Sequence, residues 1–177
     1  YFLVFFGCGS MVLSELGNSS IGGFIHIVLG GGVSVMVYSV GHISGAHFNP
    51  TVTLAFWVTR NFSQNRIIGY LTSQVLGSFC ASLSIFIIWG SNHSFGTTVM
   101  SVSPWVGGFV EAIISFALMF VIISVATDSR AVGEMAGLAI GSVVALGAFV
   151  GGPLTKASMN PARSLGPAIV SGQYENL

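Results

Sequence analysis

The chain has 177 residues, 53% of them hydrophobic and only 6% charged, and its five Lys and Arg balance five Asp and Glu. A charged fraction so far below the roughly 25% usual in soluble domains excludes a water-soluble globular domain and leaves a membrane protein. Zero net charge gives no footprint for nucleic acid or for an acidic partner.

In chain order, Tyr1 to Leu13 is the remainder of a first apolar span, closed by the polar patch Ser14-Glu15 and Gly17-Asn18-Ser19-Ser20. A second span runs from about Ile21 to Val40, and its Gly30, Gly31 and Gly32 predict close approach of a neighbouring helix. Asn49-Pro50-Thr51 then opens a short helical run to Trp57, and a polar connector, Arg60 to Arg66, leads to a third span over Ile67 to Trp89. Gly69, Ser73, Gly77 and Ala81 recur every four residues along that span and predict a packing seam, with Gln74 as a helix-to-helix hydrogen bond. The loop Gly90 to Pro104 precedes a fourth span, Trp105 to Ala126; the fifth covers Val132 to Val150 with a small-residue stripe of Gly137, Gly141 and Ala145. Asn160-Pro161-Ala162 opens a second short run, to Val170.

Both Asn-Pro pairs read as helix starts, because Asn is a favoured N-cap and Pro at the first helical position gives up only an N–H that has no partner there. At about 1.5 Å per residue, the run after each Asn reaches about half-way through a 30 Å hydrocarbon core. One half-helix follows an even-numbered span and the other an odd-numbered one, so the two are predicted to enter from opposite faces and meet at the midplane as an inverted repeat. Two N-termini aimed at one spot disfavour any cation there, and the Asn49 and Asn160 amides offer donors to a passing solute oxygen. Arg163 is costly in a span and is expected to face protein or water.

The lengths Gly41-His42-Ile43-Ser44-Gly45-Ala46-His47-Phe48-Asn49-Pro50 and Ser158-Met159-Asn160-Pro161-Ala162-Arg163-Ser164 resemble the two signature loops of the aquaporin, or major intrinsic protein, family. Ala126 to Glu134 is similar to the fourth-to-fifth helix connection of its nodulin-26-like, aquaglyceroporin-type branch. The resemblance spans the whole chain as one channel domain, with a first repeat over 1–89 and a second over 105–177. It implies an all-α membrane protein of six spans with two re-entrant half-helices, assembled as a homotetramer. The first span is then expected to begin upstream of Tyr1 and the sixth to follow Leu177.

The same resemblance implies pore motifs at Asn49, Pro50, Thr51 and at Asn160, Pro161, Ala162, and a selectivity constriction at Leu29, Ala148, Ala157 and Arg163. Water-selective members carry an aromatic residue and a His at the first two of those constriction positions; Leu29 and Ala148 make a wider, apolar ring. Small neutral solutes such as glycerol, urea and undissociated metalloid acids are therefore expected to pass along with water. A water-selective channel and an ion-coupled transporter are the alternatives. Glu111 is similar to a family Glu that braces loop backbone, and His42 and His47 flank the first loop, with bracing preferred to gating. Lys156 departs from the small residue expected beside Ala157.

Cys8 and Cys80 are isolated in apolar runs, and the carboxylates have no metal-ligand spacing. No nucleophile, base and acid fall into a catalytic motif, so neither an enzyme nor a cofactor is expected. Arg60, Arg66 and Arg130 fall in connectors on one side, while the loops Ser14 to Ser20 and Gly90 to Pro104 lack Lys and Arg. The positive-inside rule puts the three arginines in the cytoplasm, with the plasma membrane the expected location. Asn92-His93-Ser94 is then external, its glycosylation-acceptor pattern read as chance.

Overall fold

The computed structural model describes residues 1–17 and 19–175; Asn18 of the polar patch and Leu177 lie outside the described residues. The elements are α1 (Phe2–Glu15), α2 (Ser19–Gly22), α3 (Ile25–Ser44), α4 (Pro50–Val58), α5 (Ile67–Trp89), α6 (Pro104–Thr127), α7 (Ala136–Thr155) and α8 (Pro161–Ser171). Helices α3, α5, α6 and α7 are long and apolar enough to cross a membrane. Large apolar side chains cover the outside of α6, where Trp105, Phe109, Phe116 and Phe120 are all more than 60% exposed. Such a surface is stable only against lipid or other apolar protein. The chain is a multi-pass integral membrane protein.

The third and fourth spans fall within a residue of expectation, whereas the second and fifth are displaced towards the C-terminus. The extra helix α2 takes up Ile21 and Gly22, so α3 starts at Ile25 and runs on to a left-handed Gly45 cap (φ 72°). Before α7, Gly133–Met135 makes a single 3₁₀ turn, and the helix then continues through Pro153 to Thr155. Pro153 supplies no N–H, so the helix loses the bond to the Phe149 carbonyl in its last turn and ends two residues later.

Close packing is concentrated between α3 and α7. A Cβ on Gly30 would sit 2.7 Å from the Ala145 Cβ, and one on Gly137 would lie 2.8 Å from the Tyr38 ring. Ser34 Oγ donates to the Gly137 carbonyl (2.9 Å) and Tyr38 Oη accepts from Leu138 N–H (3.0 Å). The Gly137-Gly141-Ala145 stripe is therefore a true seam. Gly31 and Gly32, expected to share in it, meet nothing within 4 Å. The α5 seam also needs correction: Gly69 and Ser73 are exposed, and the packed face is Ser78, Ser82 and Ile85 together with Ala81. Gly166 of α8 lies against Ser78, where an added Cβ would stand 2.6 Å from the Ser78 carbonyl carbon. A four-residue repeat drifts around a 3.6-residue helix, so only the latter part of the stripe can face one neighbour.

Candidate pore at the paired half-helices

Helices α4 and α8 both start as the sequence predicts. Asn49 (φ −151°, ψ 126°) and Asn160 (φ −153°, ψ 104°) are extended N-caps with Pro next, and their side-chain oxygens accept from Thr51 N–H (2.9 Å) and Arg163 N–H (3.2 Å). The two loops repeat one unusual backbone pattern. Ala46 (φ 48°) and Phe48 (φ 50°) precede Asn49 as Ala157 (φ 45°) and Met159 (φ 51°) precede Asn160. Left-handed non-glycine residues cost about 1–3 kcal/mol each and persist only where surrounding contacts enforce them. Two of the four, Phe48 and Met159, present carbonyls that the facing loop uses.

Asn49 Nδ2 donates across to the Met159 carbonyl (2.7 Å), and Asn160 Nδ2 donates back to the Phe48 carbonyl (2.9 Å). A side-chain amide has two N–H groups. After capping through oxygen and crossing through one N–H, each Asn keeps one N–H for another acceptor. Asn49 and Asn160 are 4% and 7% exposed, and both border one cavity of about 80 Å³. Its walls are apolar, from Val33, Val52, Leu118 and Val144 among others, and its polar strip is the Gly45 to Asn49 and Ala157 to Asn160 backbone. The same residues belong to one of two buried apolar clusters, so that part of the core is the wall of the cavity, while Val4, Cys8, Val12, Ala81, Ile85 and Phe95 pack α1 against α5 away from it.

Glu111 of α6 sits behind the second loop and holds it. One carboxylate oxygen accepts from Ser158 N–H (2.9 Å) and the Thr155 hydroxyl, the other from Met159 N–H (2.8 Å). His47 plays the corresponding part in the first loop, packed among Phe56, Phe62 and Tyr70 with its Nδ1 3.1 Å from Thr53 Oγ1. Thr53 Oγ1 also lies 3.2 Å from the Asn49 carbonyl and 2.9 Å from Gln74 Nε2, so one hydroxyl joins His47, α4 and α5. Gln74 thereby ties α5 to α4. His42, by contrast, is exposed on the last turn of α3 and has no side-chain hydrogen bond among the described residues. Among the described residues the bracing expected of it is not made.

Arg163 is 2% exposed. Its NH1 donates to Thr98 Oγ1 at 3.5 Å, its NH2 to the Met11 sulfur at 3.3 Å, and among the described residues its Nε has no partner. Pro167 lacks the N–H that would otherwise reach the Arg163 carbonyl, which is thereby freed from the helix ladder. Leu29 and Ala157 border the same cavity as Arg163. Ala148 borders a second cavity of about 400 Å³, together with Leu29, Met11, Glu15 and an exposed Lys156 in left-handed conformation (φ 63°). Leu29 therefore stands between the two spaces. Pro50, Thr51, Pro161 and Ala162 are absent from the lining of the smaller cavity and act through the backbone geometry they set.

The sequence reading missed Met11, Thr98 and the hydroxyl chain behind Arg163, in which Thr98 Oγ1 bonds Ser164 Oγ (2.6 Å) and Ser164 bonds Ser158. Only the density of Ser and Thr beside an intramembrane Arg could have signalled it. Outside the spans, Arg130 donates to both carboxylate oxygens of Asp128 (3.0 and 2.7 Å), which holds that carboxyl below its ordinary range and raises the guanidinium.

Two caps crossed over one apolar cavity, with matching strained loops, are a family architecture, and the family model for the major intrinsic proteins matches residues 1–177. The chain belongs to the major intrinsic protein family. It is 50% identical to nodulin-26 from Glycine max and 47% identical to aquaporin NIP1-1 from Oryza sativa subsp. japonica, in each case over all of this chain and 66% and 63% of the relative. It thus spans less than two thirds of these relatives' length and sits with the nodulin-26-like branch. The fold matches the crystal structure of the aquaglyceroporin from Plasmodium falciparum, with a TM-score of 0.80, 24% identity and coverage of 96% of this chain and 76% of the other.

Proposed function

We propose that this family member is a passive transmembrane channel for small uncharged solutes (glycerol, urea, undissociated metalloid acids) and water, and that it excludes protons and ions. The observation that carries the reading is the pair of leftover Asn49 and Asn160 N–H groups at one narrow, apolar-walled cavity. A water that accepts from both has its two lone pairs filled and cannot accept from the next water, which interrupts a proton relay. The positive ends of α4 and α8 oppose cations at the same place. Arg163, Leu29, Ala148 and Ala157 form the selective constriction in this reading, where three apolar sides suit the carbon edge of a polyol and Arg163 its hydroxyls.

Around that pore the protein is one channel domain with repeats over 1–89 and 105–177, assembled as a homotetramer in the plasma membrane, with Arg60, Arg66 and Arg130 cytoplasmic. It performs no chemistry on what it carries. Swelling of proteoliposomes that contain the full-length protein, measured in water and in glycerol gradients, tests the reading. Both fluxes are expected to exceed those of empty vesicles. Water flux without glycerol flux identifies a water-selective channel instead, saturable uptake driven by an ion gradient identifies a transporter, and no flux at all leaves only a structural role.

A further inference from the structure

A buried guanidinium is normally anchored by a carboxylate or by several carbonyls. Arg163 has neither: among the described residues the carboxylate ion pair is Arg130 with Asp128, and the partners of Arg163 are one hydroxyl at 3.5 Å and one thioether at 3.3 Å. We propose that Met11 is a positioning residue of the constriction, its sulfur holding the Arg163 NH2 group back from the passage and so setting which solutes pass. The inference rests on the reading of Arg163 as part of that constriction.

Two features make the sulfur a defined partner. Met11 is 9% exposed, belongs to the same buried cluster as Leu29 and Ala148, and borders the larger cavity with them. Its sulfur also lies close to Gly96 (φ 69°), where an added Cβ would be 3.0 Å from it and 2.9 Å from the Cys8 Cβ. The external-loop glycine leaves room for the thioether, and nothing larger fits without displacing it.

The division of labour follows from chemistry. Thr98 is itself held by Ser164 (2.6 Å), so NH1 has a fixed oxygen at 3.5 Å, and the Met11 sulfur, at 3.3 Å, is what holds the NH2 end. A thioether is a weak acceptor on an unbranched, adaptable side chain. It keeps NH2 aside without a carboxylate's strength, and three N–H groups of the guanidinium remain for solute oxygens. Leucine has nearly the same volume and no acceptor. With leucine there, NH2 turns into the passage, narrows it and penalises glycerol more than water.

The experiment measures the glycerol-to-water permeability ratio of the full-length protein in proteoliposomes, a quantity independent of how much protein inserts. M11L is expected to lower the ratio about fivefold, the size of one net hydrogen bond, and M11Q, whose amide oxygen accepts from NH2, to keep it near the parent value. In an R163V background M11L is expected to change nothing further. A ratio unmoved by M11L but moved by R163V overturns the positioning role and leaves the constriction standing. An M11L effect that survives in R163V makes Met11 a mere wall, which also overturns it. A ratio unmoved by R163V removes Arg163 from the constriction and with it the premise. M11I serves as the second acceptor-free variant where M11L does not insert.

Discussion

Glu111→Gln is the sharpest test of how the second loop is held. The carboxylate accepts from Ser158 N–H at 2.9 Å, Met159 N–H at 2.8 Å and the Thr155 hydroxyl, and it has only acceptors. An amide of the same shape can keep its oxygen towards Ser158 and Thr155, but its NH2 then faces the Met159 N–H, donor against donor. One hydrogen bond to a charged acceptor is lost and a buried N–H is left without a partner, which together cost about 2–4 kcal/mol. The segment that loses support includes Met159, whose left-handed backbone (φ 51°) directs its carbonyl to Asn49. The midpoint of thermal inactivation in detergent is expected to fall by about 5–15 °C. Water and glycerol fluxes are expected to fall together, because the whole loop moves and not one wall of the constriction. A variant with unchanged midpoint and unchanged fluxes refutes the bracing role. A variant in which glycerol flux alone falls shows that Glu111 acts on the solute.

Three further outcomes follow from the same geometry. Asn49→Asp keeps the oxygen that caps α4 through Thr51 N–H (2.9 Å) but cannot donate to the Met159 carbonyl or to a solute, so flux is expected to fall at least about tenfold while the midpoint drops by only a few degrees; flux at the parent level refutes an Asn49 donor role. Gly30→Ala drives a Cβ to within 2.7 Å of the Ala145 Cβ and 2.9 Å of the Ala145 N, and because the neighbour is backbone, overpacking is expected to cost about 1–3 kcal/mol, whereas Gly31→Ala, with nothing within 4 Å, is expected to be neutral, as thermal inactivation of the pair will read. Ala148→His places an imidazole in the larger cavity, which Leu29 also borders, and is expected to suppress glycerol flux more than water flux; equal suppression counts against a constriction there.

How much of this was legible beforehand depended on whether the cause was local. Asn49-Pro50 and Asn160-Pro161 announce both half-helices within a residue, because capping is decided by the residues at the cap. The α3 boundary differs by four residues because Ile21 and Gly22, at the end of α2, run on into Gly23, Phe24 and Ile25 with no polar break, and only the left-handed Gly45 fixes where the helix stops. The crossed hydrogen bonds of Asn49 and Asn160 join residues 110 and 112 apart, and no spacing rule reports them. His42 and His47 looked alike in sequence, yet one is exposed and the other lies among three aromatic rings, a difference set by Phe56, Phe62 and Tyr70 from two other elements.

The glycine content has an explanation in the same terms. In a soluble domain the centre is filled, and close packing there supplies cohesion. Here Leu29, Val33, Leu118 and Val144, which would otherwise fill the centre, border a cavity of about 80 Å³, so part of the contact across the middle is forfeited. Cohesion has to come from helix flanks, where lipid competes for every apolar side chain and only close backbone approach gains over it. Gly30, Gly137, Gly141 and Gly166 occupy those approaches, each with a neighbour inside 3.0 Å of where a Cβ would be. The structure is therefore sensitive to added atoms at its helix flanks, where the neighbours are backbone, as well as beside the cavity, where a Cβ on Gly7 would meet Leu29 at 2.4 Å. Random substitution should accordingly map stability onto the α3–α7 and α5–α8 contacts and selectivity onto the ring around Arg163.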